Sequence, residues 1–396
     1  MCSITRYIFE KGDTTIEHEG SFVDQLSFRG ENESIGVLNI FLISANEILY
    51  GLLVITMRAI GLPREAERLF PQNENVMLTA FLLILGVAQM GGYACGPMSD
   101  NSTSRFGRRR PILFVASLGV LLGLNLMWQS SQHMWAWGFV VGVAITYFGG
   151  GVAETMCHSL LNDKVSDEEI GMSSGINVSV IMFGSLAGFI YIQLFVGTDL
   201  TPLYMLFIAI TILQLIPYLF IPEVTTPLRY SGRVDVITSF KRILTDPLEA
   251  DFRRVLLSRI GYQFGCAYSA FLMFYLRDQV SIDDPAERQW WVALNAVGGV
   301  VVGLVLVIPL GYLSDTKFAY RKYMVYASCA LMIVANTVMM VVPFWSEQRV
   351  KTAMFAISGV IWGLGMPAFQ AVDLALAMDT LSRPEETATC MGLRKN

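Results

Sequence analysis

From position 38 onward the chain alternates long apolar runs with short polar breaks. The runs fall at 38–58, 76–98, 111–131, 134–160, 173–196, 201–221, 254–276, 290–313, 323–343 and 352–377. Each is long enough to cross a bilayer, which takes about 20 residues of helix. Only helices and closed barrels satisfy their backbone in hydrocarbon, and apolar runs of this length mean helices. The pattern therefore predicts an all-α membrane protein with ten spans. Tight connections after the third, fifth and ninth runs predict antiparallel neighbours.

Composition agrees with this pattern. Of 396 residues, 54% are hydrophobic and 15% charged, where a soluble domain carries about a quarter charged residues. The six cysteines stand singly, with no CxxC pair, and are expected to be reduced and buried, without a disulfide framework or a metal site. The chain has no P-loop, HExxH, GxSxG or dinucleotide fingerprint, so no enzyme activity and no cofactor are expected. Nucleic-acid binding is excluded because the basic residues hug the membrane. The partners expected are the lipid bilayer, a small polar solute and a coupling proton.

Residues 1–37 are polar, with acidic patches, and are expected to form a cytoplasmic tail. No basic region followed by an apolar core opens the chain, so no cleaved signal peptide is predicted. Residues 222–252, with Pro222, Pro227, Gly232 and Pro247, read as a cytoplasmic linker. It separates an N-terminal six-helix bundle at 38–221 from a C-terminal bundle at 253–396.

The densest polar cluster between spans is Gly96-Pro-Met-Ser-Asp100-Asn-Ser-Thr-Ser-Arg105-Phe-Gly107-Arg108-Arg109-Arg110-Pro111. Lys and Arg accumulate in short cytoplasmic loops. With this loop cytoplasmic, the connections on its side hold twelve Lys and Arg against seven opposite, Arg58, Arg64 and Arg68 among the seven. That bias predicts a multi-pass topology with both termini cytoplasmic.

The cluster has a twin. Gly96 to Asp100 followed by Arg108 recurs as Gly311-Tyr-Leu-Ser-Asp315 followed by Arg321. Asp163, with Ser166, Glu168 and Glu169 behind it, recurs as Asp379, with Ser382, Glu385 and Glu386. The two motifs repeat at offsets of 215 and 216 residues. Internal repeats with a site at their interface mark secondary transporters. By the same count Gly392 matches Gly175, so two further spans are expected to follow, and a fragment or shortened form is the expectation for a chain that stops before them.

The motif G-x-x-S-D followed by R-x-G-R-R-R-P after the second span resembles the loop signature of the major facilitator superfamily. Its Arg105-Phe-Gly-Arg-Arg-Arg-Pro form is similar to the sucrose-carrier and glycoside–cation symporter branches, and the resemblance covers about 38–392. It implies two six-helix bundles, a central cavity lined by spans 1, 4, 7 and 10, and alternating access. It also implies that Gly96, Asp100, Arg105, Gly107, Arg108, Arg109 and Arg110, with Gly311, Asp315, Arg321, Asp163 and Asp379, form a cytoplasmic gate. The chain departs from plant sucrose carriers in the fourth span, with Tyr147 in place of an aspartate and His158 in place of a substrate-binding arginine. The resemblance therefore does not carry sucrose over as the substrate.

Ionisable residues inside spans are functional candidates because burying charge in hydrocarbon costs a few kcal/mol. They are Glu47, Glu154, His158, Arg259 and Asp373. Across the repeat, Glu154 matches Gln370 and Glu47 matches Gln263. All four lie about nine residues in from a cytoplasmic helix end, roughly 13 Å at 1.5 Å per residue. They are predicted to ring the cavity, two carboxylates facing two amides. Such groups bind sugar hydroxyls, and a buried glutamate can carry a proton. His158, one turn after Glu154, is predicted to join the relay. Asp373 has two readings, as a cavity residue or as the partner of Arg259. Three function readings stay open: a proton-coupled carrier of a sugar or similar solute, a major facilitator carrier of another solute, and a truncated membrane protein that does not transport.

Overall fold

The computed structural model describes residues 37–100, 106–164, 170–197, 199–220, 250–316 and 319–379, with the isolated positions 102, 104 and 245. The N-terminal tail to position 36 and nearly all of the proposed linker lie outside the described residues. Among the described residues ten helical segments follow one another and there is no strand.

Helix α1 runs through Val37–Ser44, Asn46–Tyr50, Gly51–Ile55, Met57–Gly61 and Leu62–Leu69, the third and fourth pieces being π-helical. Helix α2 comprises Glu74–Gln89 and Gly91–Asp100; α3 is Arg110–Gln132, α4 Ala136–Lys164, α5 Ile170–Phe195 and α6 Thr201–Gln214. Helix α7 comprises Ala250–Cys266, a 3₁₀ turn at Ala267–Phe271 and Leu272–Asp278. Pro285–Thr316 forms α8, Ala319–Val341 α9 and Gln348–Asp379 α10. Helices α3, α4, α5, α8, α9 and α10 are long and apolar enough to cross a membrane, and α2 and α6 hold shorter apolar helices. The outer faces present side chains such as Leu83, Val87, Leu122, Val305, Ile333 and Met340, as a lipid-facing surface must, because hydrocarbon does not drive them inward.

The first helix outruns the apolar segment that predicts it. Pro63 sits just past the π-helical piece Met57–Gly61, where the hydrogen bonding of α1 changes from π to α. Glu65, fully buried, accepts hydrogen bonds from the Ser131 hydroxyl of α3 at 2.7 Å and the Tyr204 hydroxyl of α6 at 3.2 Å. Arg68 pairs with it at 3.1 Å. The polar sequence that reads as a loop is a helix whose charges are satisfied by its neighbours.

Small residues set the packing. A Cβ on Gly51 or Gly184 would collide with the facing backbone of α5 or α1, and one on Gly359 or Gly363 with that of α8. Close backbone approach of this kind holds helices together where no hydrophobic drive separates helix from lipid. Helices α3 and α4 pack along their length, as do α9 and α10, in line with their short connections. Helices α5 and α6 do not, although their connection is equally short. Instead α5 packs against α1, α8 and α10, its Gly184 and Gly188 on α1 and its Gly175 on α8. It becomes a wall between the two halves of the chain.

Candidate functional site, a cavity between the repeats

The irregular stretches of α1 and α7 fall at matching positions. Adding the 215-residue offset to Leu52–Thr56 gives Ala267–Phe271, the 3₁₀ turn of α7. Both interruptions face the same space. It is a cavity of about 1400 Å³, counting its open mouth, lined from α1, α4, α5, α7, α8 and α10. In α1 the lining residues are Tyr50, Val54, Ile55, Arg58 and Ala59, spaced by three and four with adjacent pairs. π turns of this kind gather at functional sites.

Of the predicted ring, Glu154, Gln263 and Gln370 line this cavity, as does His158, predicted to join the relay. Glu47 does not reach the wall. It is fully buried behind it, with Oε1 at 3.7 Å from Nε2 of His158. Glu47, Glu154 and His158 each bring an oxygen or ring nitrogen within 4.8 Å of the others. Asn177 of α5 adds its side-chain amide at 3.2 Å from His158 Nε2. Carboxylates this close repel one another when both are charged, so the cluster suits a proton or a cation lodged among them. In the other half, Asp373 is buried and bound by Arg259, whose guanidinium lines the cavity. Of its two readings, the structure supports the ion pair.

Several wall residues escaped the sequence reading. Tyr50, Asn177, Ser269, Asn295 and Trp362 line the cavity; Asn295, a lone amide in an apolar run, had the same signature as Gln263 and Gln370. Arg58 is the largest correction. Counted with a loop on sequence, it lies inside α1, lines the cavity, and donates to the Ser269 hydroxyl of α7 at 3.1 Å.

At the end of the cavity formed by the C-terminus of α1, polar contacts join the halves. Glu67 binds Arg288 at 2.6 Å and Arg277 at 3.3 Å, and Arg277 reaches Glu74 at 2.5 Å. Arg64 donates to Gln289 at 2.6 Å and to the Gly197 carbonyl at 2.8 Å. This end is latched.

The predicted gate lies at the opposite end of α2, α4, α8 and α10. Arg105 and the side chains of Asp100, Asp163, Asp315, Arg321 and Asp379 lie outside the described residues. Gly96 is buried. Gly107 has φ 103°, a left-handed conformation that glycine adopts without strain. It turns the chain so that Arg108 and a buried Arg109 precede α3, which Arg110 opens. Gly311 is buried where α8 meets Gly175 of α5.

Comparison with known proteins agrees with this architecture. The human proton-associated sugar transporter A is 32% identical over 109 residues, a match covering 24% of this chain and 14% of that protein. The chain's match thus spans about a seventh of that relative. A solved D-xylose–proton symporter superposes with a TM-score of 0.62 over 90% of this chain and 88% of that one, at 15% identity. A human organic anion transporter does so with a TM-score of 0.61 over 91% and 88%, at 14% identity. These two carry different cargoes, so the likeness speaks for the fold alone. A sequence profile described as Major Facilitator Superfamily matches residues 36–395. The chain is a multi-pass membrane protein of the major facilitator superfamily.

Proposed function

We propose that this protein is a secondary active transporter that moves a sugar or similar polyhydroxylated solute together with a proton by alternating access. The observation that carries the reading is the cavity between the halves, where the Glu47–Glu154–His158 cluster adjoins a wall of amides and hydroxyls. Glu154, Gln263, Gln370 and Asn177 hold the solute's hydroxyls, and the cluster holds the proton. Asp373 keeps Arg259 in place rather than touching solute. The relative's name, a proton-associated sugar transporter, supports the same cargo class and coupling ion.

In this reading the bundles at 38–221 and 253–396, joined by 222–252, rock about the cavity with both chain termini on the cytoplasmic side. The Glu67–Arg288 latch closes the outer end. The motif from Gly96 to Arg110, its repeat at Gly311, Asp315 and Arg321, and the aspartates 163 and 379 close the inner end in the alternate state.

A panel of labelled sugars offered to proteoliposomes at two external pH values tests this. At least one sugar is expected to accumulate faster at the lower external pH. Absence of uptake across the panel at both values would overturn the reading.

A further inference from the structure

Two arginines line the cavity, and they are balanced differently. Arg259 has Asp373 against it. Arg58 donates to Ser269 Oγ at 3.1 Å, a neutral hydroxyl, and among the described residues no carboxylate lies within 4.0 Å of it. The arginines of the latched end differ again: Arg68, Arg277 and Arg288 each hold a carboxylate. Arg58 lies eleven residues beyond Glu47 on α1, about 16 Å along the helix axis at 1.5 Å per residue.

A guanidinium does not shed its proton under physiological conditions, unlike a buried lysine. Its charge therefore persists at a depth where charge is costly unless it is paired or meets water. Its planar fork fits the two oxygens of a carboxylate. Other parts of the wall offer Glu154, His158, Asn177, Gln263 and Gln370, which suit hydroxyl groups. The cavity is thus supplied for a solute with an anionic group at one end and hydroxyls along the rest.

We infer that Arg58 is the counter-ion for a carboxylate on the transported solute, so that the site prefers a monoanionic sugar acid to the neutral sugar of the same skeleton. This rests on the transporter reading of the same cavity and narrows its cargo. A single uncompensated arginine matches one negative charge. A sugar phosphate, with close to two, would leave the second unmatched because Asp373 already occupies Arg259.

The test uses the full chain, purified in detergent, with thermal melting followed during titration with D-glucuronate, D-glucose and D-glucose 6-phosphate. For the wild type, half-saturation by glucuronate is expected about tenfold below that of glucose, equivalent to about 1.4 kcal/mol. Glucose 6-phosphate should fall between them. Arg58→Gln should bring glucuronate and glucose within about twofold of one another, Arg58→Lys should keep most of the difference, and Glu154→Gln should weaken both sugars alike. Equal or tighter binding of glucose by the wild type would overturn the inference, as would a preference that survives Arg58→Gln. If Arg58→Gln fails to melt cooperatively, the wild-type ratio and the Arg58→Lys titration decide the matter. Glucose binding without a preference for glucuronate removes only this inference. Failure of all three probes to shift the melt would also count against the sugar-transport reading beneath it.

Discussion

Oε1 of Glu47 on α1 and Nε2 of His158 on α4 stand 3.7 Å apart, the first fully buried and the second on the cavity wall. The imidazole thus lies between a carboxylate buried behind the wall and the open cavity. Within the proposed transport cycle this makes His158 the link through which a proton on Glu47 senses the cavity.

Glu47→Gln keeps the side-chain volume and removes the charge. Uptake driven by an inward proton gradient is expected to fall by about 5–150-fold, the usual span of coupling between two bound ligands. Exchange of labelled for unlabelled solute at equal pH should survive. Measuring both modes in one proteoliposome preparation checks this, and loss of both together would indicate a structural role instead.

Glu67 receives both Arg288 and Arg277 at the latched end. Arg288 is buried, and removing it takes away the shorter of the two ion pairs on Glu67, leaving Arg277 at 3.3 Å as the remaining tie across this end. Arg288→Gln is therefore expected to shift the population toward the state open at this end. A cysteine replacing buried Val196, whose carbonyl accepts from the Gln289 amide next to Arg288, should react with an impermeant maleimide at least about fivefold faster in the Arg288→Gln background. An unchanged rate would count against the latch.

Gly363 lies against the backbone of Gly299 where α10 crosses α8, whereas a Cβ at Gly86 would meet nothing within 4 Å. Gly363→Val is expected to destabilise the protein by about 1–3 kcal/mol through overpacking. Gly86→Ala should change it by less than about 1 kcal/mol, in either direction. Thermal melting of the two variants side by side measures the contrast.

The loop before α6 gives a pH-dependent expectation. Asp199 accepts hydrogen bonds from the backbone N–H and the hydroxyl of Thr201, both at 2.9 Å. The Thr201 N–H is the main reason its carboxyl sits below the usual carboxylate range. A depressed native value means that the stabilisation is present above the unfolded-state value and is lost as pH falls through the native one. Because Asp199 is largely exposed, the effect is small, about 0.5 kcal/mol. The wild type should melt slightly above Asp199→Asn near neutral pH, and the difference should begin to shrink at about pH 4 and vanish once pH has fallen below the depressed native value.

The all-helical membrane fold was legible because long apolar runs allow no other structure in hydrocarbon, and six of the described helices are long and apolar enough to cross a membrane. The repeat was legible because two motifs recur at offsets that differ by a single residue. What escaped depends on contacts distant in sequence. Glu65 reads as a loop charge until Ser131 and Tyr204 are seen to hold it. Arg58 reads as the start of a loop because the apolar run ends there, although the helix continues through the polar residues to Leu69. Chain order suggests α6 as the neighbour of α5, but the glycines of α5 admit α1 and α8 more closely than any sequential partner does. The Arg259–Asp373 pair lay within reach because α7 and α10 offer few other charges inside their spans.

The central claim is that solute and proton cross together through the cavity that holds Glu154. Its most direct test is solute-induced proton flux in proteoliposomes, recorded as a pH change in weakly buffered external medium. The account predicts that a transported sugar or sugar acid makes the medium alkaline with the wild-type protein. It also predicts that Glu154→Gln loses that signal while still exchanging labelled solute. Solute entry without any pH change in the wild type, or an unaltered pH signal in Glu154→Gln, would contradict it.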